Sequence, residues 1–217
     1  SVPRQPDVMQ QQPQRKTLES TDNRMEKKDI ILAGVGGQGI LSIATVIGWA
    51  ALDQNLHLKQ AEVHGMSQRG GDVQSNLRLS DSHIWSDLIP KGECDLILSL
   101  EPMEALRYLP WLSKEGWIVT NTTPFLNIPN YPEMEKVRHE LDSVGRVISL
   151  DCDSIAKDVG SPKSANMVLL GASASVMKII DEDKLREGIT EVFKRKGDKI
   201  VEMNIAAFNA GLEVSKK

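Results

Sequence analysis

The first residues that could do chemistry form a glycine-rich segment, LAGVGGQGI, at positions 32–40. Three of its glycines have the spacing G-x-G-x-x-G, where an apolar run passes into a helical pattern. Glycines at such a turn let backbone N–H groups and the positive end of the helix dipole approach an anion. The segment therefore predicts an anion-binding loop, with the candidate residues Gly34, Gly36, Gly37, Gln38 and Gly39.

A second segment, EVHGMSQRGGD, occupies positions 62–72 and has too few apolar residues to belong to a core. Polar, backbone-accessible loops of this kind usually bind something. Ser67 and His64 show no third member of a catalytic triad, so we expect binding and assign no catalytic residue. Arg69 is the first choice for contact with a phosphate or a carboxylate, because its planar fork suits both. The candidate residues are His64, Gly65, Ser67, Gln68, Arg69 and Gly70.

Two other classes of protein use a similar glycine loop. A nicotinamide or flavin protein needs an acidic residue roughly 20 residues further on to hold the ribose. Glu62 is the nearest candidate, but the second glycine segment follows it directly. Adenylating enzymes share the pattern G-x-G-G-x-G, but the Asp, Arg-Gln and zinc cysteines typical of them are not clearly present. A stand-alone dinucleotide-binding protein stays open as an alternative.

Composition limits the remaining possibilities. The formal net charge of −4 argues against a nucleic-acid-binding protein. No stretch approaches the roughly 20 apolar residues of a membrane span, and no secretory signal is visible, so we expect a cytoplasmic protein. Cys94 and Cys152 are the only cysteines, which argues against an iron–sulfur cluster or a structural zinc in this chain. We expect two buried free thiols, with a single disulfide as the alternative.

The chain divides into a polar segment and one domain. Residues 1–28 contain few apolar side chains, and the first 24 include five glutamines and three prolines. We expect this leader or tail to be disordered, or to be ordered only by a partner. Residues 29–217 have the length and apolar content of a single domain.

Apolar runs alternate with helical patterns through the domain, which predicts an α/β fold. We expect a mostly parallel, Rossmann-like sheet with helices on both faces and a helical C-terminal third. In such a sheet both glycine segments would lie side by side at the carboxyl ends of the strands. The predicted strands are 29–33, 58–63, 73–79, 94–100, 117–120 and 146–150, and the predicted helices are 38–52, one from 101, 164–180, 183–196 and 199–214.

Three of the predicted helices have unusual surfaces. Apolar residues cover nearly the whole circumference of the helix at 38–52, which predicts complete burial. The helices at 164–180 and 199–214 are rich in apolar and small residues. Such helices belong either to the core of the fold or to a subunit interface, and the pattern favours neither.

Together the two glycine segments resemble the gamma domain of 2-oxoacid:ferredoxin oxidoreductases, in the form found as a separate chain. The resemblance covers about residues 29–214 and leaves residues 1–24 unexplained. It is carried by the segments 32–40, 61–73, 95–97, 101–107, 116–122, 166–171 and 204–211.

The resemblance implies one subunit of a two-subunit enzyme that is inactive when separated. The complete enzyme would decarboxylate an arylpyruvate such as indolepyruvate, form an acyl-coenzyme A and pass two electrons to ferredoxin. Thiamine diphosphate, its Mg and the 4Fe–4S clusters would belong to the large (alpha) subunit, with coenzyme A as co-substrate. Residues 34–39 and 64–71 would face the large subunit or coenzyme A. A subunit that serves assembly alone is a further alternative.

Overall fold

The computed structural model describes residues 26–64, 71–126 and 128–216. None of the helices in these ranges is both long enough and apolar enough to cross a membrane. The strands are β1 Lys27–Val35, β2 His57–His64, β3 Asp72–Ser80, β4 Cys94–Ser99, β5 Leu112–Asn121 and β6 Val147–Leu150. The helices are α1 Ile40–Asp53, α2 Pro102–Arg107, α3 Met134–Ser143, α4 Cys152–Asp158, α5 Ala165–Met177, α6 Glu182–Phe193 and α7 Asp198–Ser215, with short 3-10 turns at Leu109–Trp111 and Lys194–Lys196.

The six strands form one sheet in the order β2-β3-β1-β4-β5-β6. Strands β1, β4, β5 and β6 pair in parallel, which confirms the predicted mostly parallel α/β fold. Strand β3 differs, because it runs antiparallel to both β1 and β2 and lies between them. Only residues 65–71 connect β2 to β3. Seven residues are too few for the crossover of a dozen or more that a parallel pair needs, so the two strands form a hairpin.

Helices cover both faces of the sheet, as predicted. Successive residues of a strand point to opposite faces, so Ile30 and Ile31 of β1 enter different cores. Ile30 packs with side chains of α1, α5, α6 and α7. Ile31 packs with side chains of α2 and α3. The strand also begins earlier than the predicted domain boundary, because Lys27 and Lys28 already pair with β3.

Helices α5 and α7 are core elements of the fold. A Cβ atom on Gly171 would lie 1.9 Å from the carbonyl oxygen of Phe208, and one on Gly211 would lie 1.9 Å from that of Val168. The two backbones therefore touch, and this contact settles the choice between core and interface for these helices. The prediction for α1 is wrong, since Leu41 is 44% exposed; the sheet and α6 cover only part of its circumference.

Both cysteines are free and buried, as predicted. Burial raises the pKa of the Cys94 thiol to about 12 and also raises the pKa of Cys152. Their positions in the two cores, on opposite faces of the sheet, account for the absence of a bridge between them. Most of the polar segment at the start of the chain, residues 1–25, lies outside the described residues.

Candidate functional site

The first glycine segment and the described ends of the second lie at one edge of the sheet. Strand β1 ends at Val35, opposite Asp72 at the start of β3. Just beyond this pair, the amide of Gly36 donates to the carbonyl of Gly71 at 2.9 Å. His64 ends β2 at the same edge, opposite Val73. The remaining candidates of the second segment lie outside the described residues: Gly65, Ser67, Gln68, Arg69 and Gly70.

Gln38 holds the first glycine loop in shape. Its side-chain oxygen accepts the Val35 amide at 2.7 Å, and its side-chain nitrogen donates to the Leu100 carbonyl at 3.2 Å. A Cβ atom on Gly34 would lie only 2.9 Å from that oxygen, so Gly34 leaves room for the Gln38 side chain. The sequence nominated both residues for ligand binding. In the structure, Gly34 and Gln38 fix the conformation of the glycine loop.

Gly37 and Gly39 have left-handed backbones, with φ of 98° and 88°. A Cβ on Gly37 would meet nothing within 4 Å, so this part of the loop is open to an approaching group. Gly39 is different, because the Asn166 side chain donates to its carbonyl at 3.2 Å. This contact brings the first turn of α5 against the first turn of α1.

The N-termini of α1 and α5 therefore open at the same place. Neither N-cap residue, Gly39 or Ser164, makes a side-chain hydrogen bond to its helix. In the first turn of α5, the side-chain oxygen of Asn166 accepts the amide of Met167 at 3.0 Å. The first amides of a helix have no partners inside the helix, and together they carry the positive end of its dipole. Two helix ends of this kind, side by side, favour an anion between them.

A cleft of 560 Å³ lies in front of these two helix ends. Its described lining includes Lys163 and Lys196 and contains no carboxylate. The Lys196 ammonium lies 5.5 Å from the centre of the Phe193 ring, which places it over the cleft wall. Two lysines and two helix ends give the cleft a positive potential. The other lining residues are Gly37, Gln38, Gly39, Ser42, Ser161, Pro162, Ser164, Asn166, Ile200, Met203 and Asn204.

The sequence did not identify Lys163, Lys196 or Asn166 as site residues. They come from the loop before α5, the turn after α6 and the first turn of α5. The polar run Ser161-Pro162-Lys163-Ser164 before an apolar helix was the one local signal of an exposed helix start. The meeting of that helix with the glycine loop depends on a contact across 127 positions.

A second cleft on the other side of the glycine loop has the opposite charge. It measures 220 Å³ and is lined by three carboxylates, those of Asp72, Glu101 and Glu104, and by one guanidinium, that of Arg107. Arg107 donates to Glu104 at 2.9 Å, a hydrogen bond that raises the pKa of the arginine. An anion would be repelled here, so the lysine-lined cleft is the candidate anion site.

Glu101 is buried in the wall of the acidic cleft and fully engaged. One of its oxygens accepts the hydroxyl of Tyr131 and the amide of Phe125, and the other accepts the amide of Glu104 at 2.9 Å. Burial and the neighbouring Glu101 carboxylate raise the pKa of Tyr131. Glu101 therefore caps α2 and fixes the chain that follows β5. The sequence predicted the helix start at this residue but not its role in the cleft.

The sheet order argues against a dinucleotide in this loop. A dinucleotide-binding fold places its ribose-binding carboxylate at the end of the strand beside β1. Here β3 occupies that place, and Glu62 lies one strand further out, opposite Ser75. Glu62 accepts the side chain of Gln60 at 2.7 Å. In the described ranges, no three His, Cys, Asp or Glu side chains gather as metal ligands would.

Two curated relatives match nearly the whole chain. Indolepyruvate oxidoreductase subunit IorB of Pyrococcus horikoshii is 35% identical over 202 residues, which cover 89% of this chain and 98% of the relative. The subunit of the same name from Methanothermobacter thermautotrophicus is 35% identical over 191 residues, covering 84% of this chain and 95% of the relative.

Solved structures share the fold. The gamma subunit of a keto/oxoacid ferredoxin oxidoreductase from Geobacter sulfurreducens matches with a TM-score of 0.63 and 24% identity, over 87% of this chain and 98% of that chain. A 2-oxoglutarate:ferredoxin oxidoreductase from Magnetococcus marinus, with 2-oxoglutarate, coenzyme A and succinyl-CoA bound, matches with a TM-score of 0.69 and 22% identity. That match covers 88% of this chain and 31% of the Magnetococcus chain.

The family model described as pyruvate ferredoxin/flavodoxin oxidoreductase matches residues 29–214. The same residues carry the resemblance noted in the sequence, and the relatives confirm that resemblance. This chain therefore belongs to the pyruvate ferredoxin/flavodoxin oxidoreductase family.

Proposed function

We propose that this chain is the cluster-free subunit of a two-subunit indolepyruvate:ferredoxin oxidoreductase. The complete enzyme oxidatively decarboxylates an arylpyruvate, forms an acyl-coenzyme A and passes the electrons to ferredoxin. The observation that carries the proposal is the match to IorB subunits, which spans 98% of the Pyrococcus relative. Two buried cysteines cannot ligate a 4Fe–4S cluster, which needs four thiolates. We therefore assign the clusters to the large subunit, together with the thiamine diphosphate and Mg that the resemblance implies.

Coenzyme A is the anion proposed for the lysine-lined cleft. Its phosphate groups need positive partners, and the cleft provides Lys163, Lys196 and the N-terminal ends of α1 and α5. Its volume of 560 Å³ lies within the usual range for small-molecule sites, roughly 300–1,000 Å³. The open backbone at Gly37 lets a phosphate approach the loop closely.

The second glycine segment keeps its proposed part in the same site. Its ends, His64 and Gly71, lie at the edge that also carries the first loop. We expect the segment to face coenzyme A or the large subunit, with Arg69 making the charged contact. The variant Arg69→Ala should then raise the KM for coenzyme A or weaken assembly. Unchanged values of both would remove Arg69 from the site.

The test uses the complex formed by co-expression with the large subunit. Reduction of ferredoxin or a viologen dye is measured with indolepyruvate while coenzyme A is titrated. We expect activity only from the complex. Lys163→Ala and Lys196→Ala should each raise the KM for coenzyme A by about ten- to a hundredfold, because a hydrogen bond to a charged group contributes about 1.5–3 kcal/mol. The KM for indolepyruvate should stay near the wild-type value.

Lys114→Ala is the matched control. Lys114 is exposed near the amino end of β5, at the end of the parallel strands opposite to the glycine loop. Its KM for coenzyme A should equal that of the wild type. Viologen reduction by this chain without the large subunit would overturn the proposed function. Unchanged KM values in both cleft variants, in an active complex, would refute the coenzyme A site alone. Variants that change only complex formation would indicate an assembly subunit.

A further inference from the structure

The segment after β5 exposes three apolar side chains close together. Phe125 is 40% exposed, Leu126 is 73% exposed and Ile128 is 44% exposed. Scattered apolar residues are normal on a protein surface, but a contiguous group usually marks a binding site. Ile128 lines the acidic cleft, and the amide of Phe125 donates to Glu101 in the wall of that cleft.

The exposed group is held in place by Glu101. This buried carboxylate accepts the amide of Phe125 at 3.3 Å and the hydroxyl of Tyr131, so it fastens the segment at both ends. Glu101 is itself 2% exposed and caps α2. Phe125 and Tyr131 are therefore held in place by hydrogen bonds within this chain. Preorganisation of this kind lowers the entropy lost on binding.

A shallow apolar groove continues the same surface. It measures 380 Å³ and lies between α2 and α3, with Met103, Leu106 and Val137 along its floor. Met103 and Arg107 line both the groove and the acidic cleft, so the two depressions are neighbours. The groove, the acidic cleft and the exposed side chains of residues 125, 126 and 128 are called the α2–α3 surface below.

The charge of the α2–α3 surface points to a basic partner. Three carboxylates line the acidic cleft against a single guanidinium, which leaves two negative charges in excess. A lysine or arginine that entered the cleft could contact the Asp72 carboxylate and would be attracted by the charge of Glu101 and Glu104, whose oxygens already accept hydrogen bonds within this chain. Apolar side chains beside it would be covered at the same time. Interfaces commonly combine an apolar centre with charges at the rim.

We infer that the α2–α3 surface is the docking site for the large subunit of the oxidoreductase. The large subunit would present an apolar recess for Leu126 and a lysine or arginine for the acidic cleft. This inference rests on the proposed function. It also fits the Magnetococcus chain, in which the matching fold makes up 31% of one longer polypeptide, so that the fold there is joined to the rest by the chain itself.

The experiment measures association of purified variants with the purified large subunit. We expect Leu126→Asp to weaken the association at least tenfold. The matched control is Leu52→Asp, because Leu52 is a similarly exposed leucine, at 61%, near the end of α1 on the other face of the sheet. That control should change the association less than twofold. Circular dichroism melting curves check that both variants are folded.

A second variant tests the charged part of the inference. Asp72→Asn removes one carboxylate from the acidic cleft and keeps the shape of the side chain. We expect weaker association and a smaller loss of affinity when salt is raised, because screening acts on the charge that has been removed. An unchanged salt dependence would overturn the basic contact.

The remaining outcomes are distinct. Equal association of Leu126→Asp, Leu52→Asp and wild type would overturn the docking surface while leaving the proposed function intact. A wild-type chain that does not bind the large subunit would overturn both. Sedimentation of the isolated chain tests whether a second copy of this chain binds the same surface. A wild-type dimer that Leu126→Asp converts to a monomer would assign the surface to a second copy and overturn the docking of the large subunit there.

Discussion

The side-chain amide of Asn166 donates to the carbonyl of Gly39 at 3.2 Å, across 127 positions of sequence. This contact joins the first turn of α5 to the first turn of α1. A Cβ atom on Gly39 would lie 2.6 Å from the same amide nitrogen, so the contact requires a glycine there. Asn166 can reach the Gly39 carbonyl because glycine has no Cβ atom. This contact holds the two helix ends of the anion cleft together.

Gly39→Ala should reduce the free energy of unfolding by more than the backbone alone explains. The left-handed φ of 88° costs about 1–2 kcal/mol for an alanine, and the new methyl group must also displace Asn166. Gly37→Ala is the matched control, because its φ is 98° and a Cβ there meets nothing within 4 Å. Urea denaturation measures both. Equal losses for the two variants would contradict the steric contact.

The double variant Gly39→Ala with Asn166→Ala isolates this contact. Removing the amide relieves the clash, so the two losses should not add. We expect a coupling within the range of about 0.5–3 kcal/mol found for contacting residues. The same urea curves provide it, and additive losses would show that Asn166 moves away freely.

Gly171→Ala and Gly211→Ala should each destabilise the chain by about 3 kcal/mol, near the upper end for overpacking. In both cases the new Cβ would lie 1.9 Å from a backbone oxygen of the facing helix, which cannot rotate away. Thermal or urea unfolding measures the loss.

Gly48→Ala serves as the control for the α5–α7 contact. Gly48 is also a helical glycine, but a Cβ there would meet only the end of the Leu58 side chain, at 3.3 Å. Alanine favours a helix over glycine by about 1 kcal/mol, which offsets the closer contact. We expect a change near zero for this variant. A loss as large as that of Gly171→Ala would mean that α5 and α7 do not pack backbone to backbone.

Both thiols should be unreactive in the native chain. Burial raises the pKa of Cys94 to about 12 and also raises that of Cys152, so the thiolate that reacts with Ellman's reagent is scarce at pH 8. We expect two thiols per chain to react after denaturation in guanidinium, and fewer than one before it.

The raised thiol pKa values also set a pH dependence of stability. The unfolded thiols ionise near pH 8.5 and the folded ones only at higher pH. Between these values the unfolded chain releases more protons, so stability should fall as the pH rises above about 8.5. The stability of the variant Cys94→Ala should fall less steeply between pH 8.5 and 11. Parallel slopes for the variant and the wild type would contradict this account.

Asp151 should support stability on the acid side. Its carboxylate accepts the amide of Ser154 at 2.9 Å and the hydroxyl of Ser154 at 2.7 Å, and these hydrogen bonds lower its pKa. A lowered pKa stabilises the fold above about pH 3.9, and that stability is lost as the pH falls through the folded pKa. Asp151→Asn keeps a capping oxygen and should flatten the acid slope of the melting temperature.

Asp151→Ala should cost about 1 kcal/mol at neutral pH, because it removes the N-cap of α4. Asp158→Asn, at the exposed other end of α4, is the control and should leave the acid slope unchanged. If the melting temperature falls equally steeply with decreasing pH for Asp151→Asn and the wild type, the Asp151 cap does not cause the loss of stability in acid.

The local elements could be predicted because each has a local cause. Strand β4 is apolar on both faces and lies in the middle of the sheet, as its sequence indicates. Helix α2 begins after Glu101, and its Pro102 stands in the first turn where no amide is needed. The sequence did not predict helix α3. Val137 and Leu141 are its only buried residues, and two residues form too narrow an apolar stripe to indicate a helix.

By itself the sequence determined the family and the alternation of strands and helices, and it predicted that the first glycine loop and the described ends of the second segment lie at one sheet edge. Only the tertiary structure decided that β3 lies between β1 and β2, and that Lys163 and Lys196 meet the glycine loop. The reason is physical: propensity and periodicity act over a few residues, whereas strand order and the cleft depend on contacts between distant parts of the chain. The Asn166–Gly39 hydrogen bond is one such contact.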